Sequence, residues 1–91
     1  MKESLATAKV ADAFDLILSQ IGLRILGRRQ KLGMTQKQLA AKAEISPNLL
    51  SRIELGEQNF TMRTAWQLAE ALDTTLEYLL LGTLKDEGDE G

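Results

Sequence analysis

Hydrophobic side chains recur along the first part of the chain at steps of three and four. Leu5, Val10, Phe14, Ile17, Leu18 and Ile21 follow these steps through much of the segment, with Asp12, Asp15 and Ser19 between them. The spacing predicts an amphipathic helix from Ser4 to Ile21. Ile21, Ile25 and Leu32 carry a similar phase onward, but Ser19, Gln20 and Gly22 interrupt it, so a break between two helices is expected near 19–22. Gly33 closes the second of them.

Start and stop signals then follow in close succession. Thr35-Gln36-Lys37-Gln38 has the spacing of a capping box and opens a helix to about Ala43. Ser46-Pro47 supplies a cap and a proline at the first helical position, where the missing N–H costs nothing; that helix reaches about Leu55 and stops at Gly56. Only Glu44 and Ile45 separate the two, enough for a tight corner. Thr61 caps a helix carrying Met62, Ala65, Trp66, Leu68, Ala69 and Leu72, and Thr74-Thr75-Leu76-Glu77 repeats the box before a last helix through Leu81, closed by Gly82. The end, Asp-Glu-Gly-Asp-Glu-Gly, has no apolar group to bury and is expected to be a disordered acidic tail. The chain thus divides into an N-terminal helix (1–20), a helical domain (21–82) and the tail (83–91).

With 91 residues, 44% hydrophobic and a single proline, the chain supports one small all-α core and not two domains or a strand-rich sandwich. It has no cysteine and no histidine, which removes thiolate chemistry, the commonest general base and the commonest metal ligands. No catalytic residue, metal or cofactor is expected, and the absence of a long apolar run points to a soluble, cytoplasmic protein without a membrane partner. Net charge is −2, yet residues 20–60 hold seven basic and three acidic side chains while residues 61–91 hold two and seven. A basic middle is compatible with a phosphate-binding face or with ordinary fluctuation of surface charge.

Helix geometry decides between them. At about 100° per residue, Leu50, Ile53 and Glu54 fall on one side of the Ser46–Leu55 helix, Asn48 and Arg52 nearly opposite, and Leu49 and Ser51 on the flanks. Asparagine and arginine are the side chains whose paired donors and acceptors match adenine and guanine edges, so this is a candidate base-reading face.

The segments Leu32-Gly33-Met34-Thr35-Gln36-Lys37-Gln38-Leu39-Ala40-Ala41-Lys42-Ala43, Ile45-Ser46 and Leu50-Ser51-Arg52-Ile53-Glu54-Leu55-Gly56 resemble the XRE, or phage-repressor and Cro-type, helix-turn-helix family. Residues Ala65 to Leu81 resemble its fourth and fifth helices, and the likeness covers roughly residues 21–82. It implies a five-helix repressor-like domain, here with an additional N-terminal helix. The partner implied is double-stranded DNA: Gln36, with Lys37 and Ser46, at backbone phosphates, and Asn48, Leu49, Ser51 and Arg52 at bases. The family's arginine–glutamate pair would be Arg29 with Glu54. Glu44 stands where the family commonly has glycine, a strain on the order of 1 kcal/mol if the corner needs a positive φ.

Other residues have plainer expected roles. Ala40, Ile45, Leu50 and Ile53 read as core, Trp66 as packing, and Arg24, Arg28 and Lys31 as a solvated helix face. The N-terminal stripe must cover its own domain or pair with a second subunit, and Tyr78 to Leu81 offer another interface, so a homodimer on a palindromic operator is expected. The leading reading is a transcriptional regulator, repressor or controller. The alternative is an antitoxin or protein-interaction module whose partner is a toxin or the transcription machinery.

Overall fold

The computed structural model describes the backbone of residues 2–83 and the side chains of residues 12–83; the expected disorder of the acidic tail falls almost wholly outside them. Those residues form five helices and no strand: α1 (Lys2–Lys31), α2 (Gln36–Ala43), α3 (Pro47–Glu54), α4 (Met62–Ala71) and α5 (Leu76–Leu81). Helix α1 packs on α3 and α5, α2 on α3 and α4, and α4 on α5. Ile25, Leu39, Leu50, Ile53, Leu68, Leu72 and Leu79 are fully buried at the centre, each contributing about 1.5–3 kcal/mol through removal from water.

The expected break near 19–22 is absent, and the additional N-terminal helix is the first half of α1. Gly22 explains why. Within a helix, glycine costs about 1 kcal/mol relative to alanine, too little to stop a long helix held by packing. Its missing side chain is used by α3: a methyl group on Gly22 would lie 2.5 Å from the carbonyl oxygen of Ile53 and 2.6 Å from that of Glu54. At Gly56, in the left-handed region at φ 75°, a side chain would meet the Cα of Ser19 at 2.8 Å. The end of α3 is therefore set directly on the backbone of α1 between Ser19 and Gly22.

Along the apolar side of α1, exposure rises from Ile25 (1%) through Ile21 (5%) and Leu18 (9%) to Ile17 (45%) and Phe14 (43%). The helix emerges from the body at about Leu18. At 1.5 Å per residue it is roughly 45 Å long, far more than α2 or α3 can cover.

Two expectations for the basic residues of α1 are overturned. Arg28 is buried, and its Nε and Nη2 donate to the carbonyls of Leu72 and Asp73, each at 2.9 Å. Arg24 is half-buried and donates from Nε to Leu79 (2.9 Å) and from Nη2 to Leu80 (3.0 Å). Each guanidinium satisfies carbonyls left open at the end of a helix, α4 or α5, where a positive charge is also favourable. Lys31 is exposed, as expected. Trp66 is half exposed and not enclosed, because it lies on the flank of α4 beside the buried line of Ala65, Leu68, Ala69 and Leu72. It borders a shallow groove with Lys42, Glu44, Arg63 and Glu70.

The last helix begins one residue later than the box predicted. Thr75 is the cap, its hydroxyl accepting from Tyr78 N, so Glu77 sits in the first turn but cannot return a bond as the third helical residue would.

One ionic cluster ties three helices together. Glu54, with its side chain 3% exposed, accepts from Arg29 Nε at 2.6 Å, from Arg29 Nη2 at 3.0 Å and from Gln36 Nε2 at 2.7 Å. Arg29 also donates from Nη1 to the carbonyl of Met34 at 2.9 Å, which fixes the approach to α2.

Two outcomes follow for stability. Gly22→Ala is expected to destabilise the protein by about 1–3 kcal/mol, because the clash with the α3 carbonyls outweighs a helix-propensity gain of about 1 kcal/mol. A chemical denaturation curve shifted to higher midpoint would show that the contact at Gly22 is loose. Arg29→Met is expected to cost about 3–5 kcal/mol by leaving the Glu54 carboxylate buried and unpaired, with much of the loss recovered in Arg29→Met/Glu54→Met; a double variant no better than the single one would contradict this.

Candidate nucleic-acid interface

The corner between α2 and α3 is built from local backbone chemistry. Thr35 Oγ1 accepts from Gln38 N at 3.0 Å and Gln38 Oε1 accepts from Thr35 N at 2.9 Å, closing the reciprocal box that starts α2. At the other end Glu44 adopts φ 63° and ψ 41°, the left-handed conformation that the family's usual glycine would take without strain. Its own N–H and that of Ile45 return to Ala41 (3.2 Å) and Ala40 (3.0 Å), so the strained residue satisfies carbonyls at the end of α2. Ser46 Oγ accepts from Leu49 N at 3.0 Å and Pro47 occupies the first helical position, so α3 starts only three residues after Glu44.

Helix α3 is strongly two-sided. Leu50, Ile53 and Glu54 are buried, and Asn48 and Arg52, one turn apart, are exposed on the opposite side. Ser51 is half-buried on one flank. Leu49 on the other is half-buried and packs against the core, so only part of it is available outside.

The three residues expected at phosphates lie at helix starts but in two places, Gln36 and Lys37 at the start of α2 and Ser46 at the start of α3, beyond the other end of α2. Lys37 and Ser46 are exposed, and Ser46 has its oxygen engaged as a cap while its hydroxyl hydrogen can still donate. Gln36 is half-buried, with one amide hydrogen committed to Glu54 and a second left. The backbone N–H groups of Gln36 and Lys37 belong to the first turn of α2, which has no carbonyl of its own to offer them. Gln36, Lys37 and the free N–H groups present donors and a cation at the start of α2, the arrangement that suits a phosphate, and Ser46 stands apart from them beyond the other end of that helix.

The cationic surface is smaller than the segment count suggests. Arg24, Arg28 and Arg29 all point inward to carbonyls or to Glu54, which leaves Lys31, Lys37, Lys42 and Arg52 as the exposed basic residues between 20 and 60. The inward role of Arg28 had a signal in its position: Ile21, Ile25, Arg28 and Leu32 are spaced four, three and four apart, so Arg28 lies on the apolar side. Among the described residues no cluster of acidic side chains is arranged to hold a metal ion, and no helix is long and apolar enough to cross a membrane.

Comparison with known proteins agrees with this geometry. The crystal structure of the restriction-modification controller protein C.AhdI from Aeromonas hydrophila is 27% identical and superposes with a TM-score of 0.67, covering 68% of this chain and 94% of that one. A point mutant of the restriction-modification controller protein C.Esp1396I is 29% identical, with a TM-score of 0.65 over 76% of this chain and 92% of its own. The clp gene regulator ClgR from C. glutamicum, at 22% identity and a TM-score of 0.67 over 76% of this chain and 94% of its own, shares the fold. No curated protein sequence matches the chain. The helix-turn-helix family HTH_3 matches residues 26–79, from the second half of α1 through most of α5 and so across the whole α2–α3 corner. This chain belongs to that family.

Proposed function

We propose that the protein is a sequence-specific DNA-binding regulator of transcription, a repressor or controller, acting as a homodimer on an operator with two-fold symmetry. The observation that carries this reading is the division of α3: Asn48 and Arg52 project into solvent while Glu54 is locked inside by Arg29 and Gln36. A recognition helix needs a face free for bases and an anchor that holds its depth and angle, and α3 has both. The family and the two controller proteins of similar structure support it.

In this reading the N–H groups at the start of α2, with Lys37, the second amide hydrogen of Gln36 and the hydroxyl of Ser46, hold backbone phosphates and set the register. Arg52 reaches a guanine through paired donors, Asn48 an adenine through a donor and an acceptor, and the outer part of Leu49 and Ser51 fill the flanks. Two residues of this kind are too few for tight, selective binding by one copy, so a second half-site about 34 Å away is required.

Selection of bound sequences from random duplex DNA tests the proposal. The expected product is a pair of inverted half-sites one helical turn apart; no enrichment after repeated rounds would reject it. Arg52→Ala is expected to cost about 1–3 kcal/mol of affinity and to relax preference at one position per half-site, read by competition among base-substituted duplexes. With few outward cations per copy, the logarithm of affinity should fall with the logarithm of salt at a slope of only about −2 to −4 per dimer. A much steeper slope would place binding on charges outside this face.

A further inference from the structure

The buried ionic cluster and the candidate DNA surface meet at one residue. Gln36 opens α2, where the N–H groups of the first turn are unclaimed, and its Nε2 lies 2.7 Å from Glu54 Oε1. It is half-buried, whereas the Glu54 side chain is 3% exposed, so the amide stands between the carboxylate and solvent. Its two hydrogens are about 120° apart: one is given to Glu54 and the other is turned away from it.

We propose that Gln36 is a positioning residue for base reading. The phosphate held by its second hydrogen is tied through the first to Glu54, so contact with the DNA backbone helps to fix the angle at which α3 presents Asn48 and Arg52. The proposal rests on the DNA-binding reading above and adds to it a coupling between backbone contact and base discrimination.

Three observations carry it. Glu54 has its counter-charge without Gln36, because Arg29 meets both carboxylate oxygens, at 2.6 and 3.0 Å. The amide that shares Oε1 with Arg29 Nη2 therefore supplies direction and not neutralisation. The base from which Gln36 reaches is rigid: the Thr35–Gln38 box fixes the start of α2, and Arg29 Nη1 holds the Met34 carbonyl just before it. A neutral amide also suits the place between two anions. With a phosphate oxygen about 2.9 Å from the same nitrogen, the phosphate and carboxylate oxygens stay about 5 Å apart, with Arg29 on the carboxylate.

The geometry of α3 turns this bond into a lever. Glu54 lies two residues beyond Arg52 and about 200° around the helix, so the anchor is on the inner side and the reading group on the outer. A 10° rotation of α3, at a radius of 5–6 Å, moves the outer side chains by about 1 Å, enough to spoil a paired hydrogen bond to a base. Lys37, exposed beside Gln36 and outside the Glu54 cluster, serves as a control for phosphate contact alone.

The test measures binding of the original chain, Gln36→Ala, Lys37→Ala and Arg52→Ala to the duplex recovered by selection and to duplexes altered at the base pair that Arg52→Ala no longer discriminates. Lys37→Ala is expected to weaken binding to every duplex by the same factor and to lower the salt slope by about one per copy. Gln36→Ala is expected to weaken binding and also to lose about 5- to 10-fold of the discrimination at the Arg52 base pair, a loss absent in Gln36→Ala/Arg52→Ala. Uniform weakening in Gln36→Ala, as in Lys37→Ala, overturns the proposal and leaves Gln36 a plain phosphate ligand. A lower unfolding temperature with affinity and discrimination unchanged overturns it in favour of a purely structural role. An original chain that discriminates no bases removes the DNA-reading interpretation itself. If Gln36→Ala disturbs folding, the side-chain amide of Gln36 in the isotope-labelled original chain gives an independent readout by nuclear magnetic resonance. On addition of the duplex, one hydrogen should keep its position while the other shifts and exchanges more slowly with water. A spectrum in which both move, the bond to Glu54 being given up, or in which neither does, contradicts the bridge.

Discussion

The carboxylate of Glu54 is the point on which the domain turns. It is withdrawn from water and receives N–H groups from Arg29 of α1 and Gln36 of α2, so a single side chain fixes α3 against both supporting helices. A buried carboxylate gives little net stability compared with an apolar group of the same size, but it penalises every arrangement in which its donors are displaced. Here that penalty falls on rotation of α3 about its own axis. A rotation by one residue would draw Glu54 off Arg29 and turn Asn48 and Arg52 away from their common outward direction.

Around this anchor Arg24, Arg28 and Arg29 all bond inward. Arg24 and Arg28 close the ends of α5 and α4, and Arg29 closes the approach to α2 besides holding Glu54. One side of α1 thus organises three other helices, and the glycine at position 22 brings the fourth contact, the backbone of α3, to the same rod. What remains outside for an anionic partner is correspondingly small, with Lys37 at the start of α2, Arg52 on the face of α3, and Lys31 and Lys42 at the ends of α1 and α2.

Much of this was legible from residue order. The Thr35–Gln38 box, the Ser46-Pro47 start and the glycine stops at 33, 56 and 82 are short-range chemistry, and the helices begin and end close to where that chemistry requires. The two faces of α3 followed from periodicity alone. Features decided by distant parts of the chain were misread. Gly22 looked like a breaker because the contact that uses it comes from residues 53 and 54, and Arg24 and Arg28 looked solvated because the carbonyls they cap lie more than 40 residues away. Thr74 and Thr75 offered two registers for one cap, and packing of Leu79 against the core is compatible with the later one. Trp66 reads as packing because its helix is apolar and outside the motif, whereas its azimuth on α4 places it at the edge.

On this account DNA meets α3 and the start of α2. Backbone amide chemical shifts recorded during titration with a short duplex measure this most directly, since every described helix reports separately. Changes concentrated on Gln36, Lys37, Ser46 and the exposed side of α3 at Asn48 and Arg52 are the predicted result. Changes confined to α4 or α1, with α3 undisturbed at saturating DNA, would contradict it.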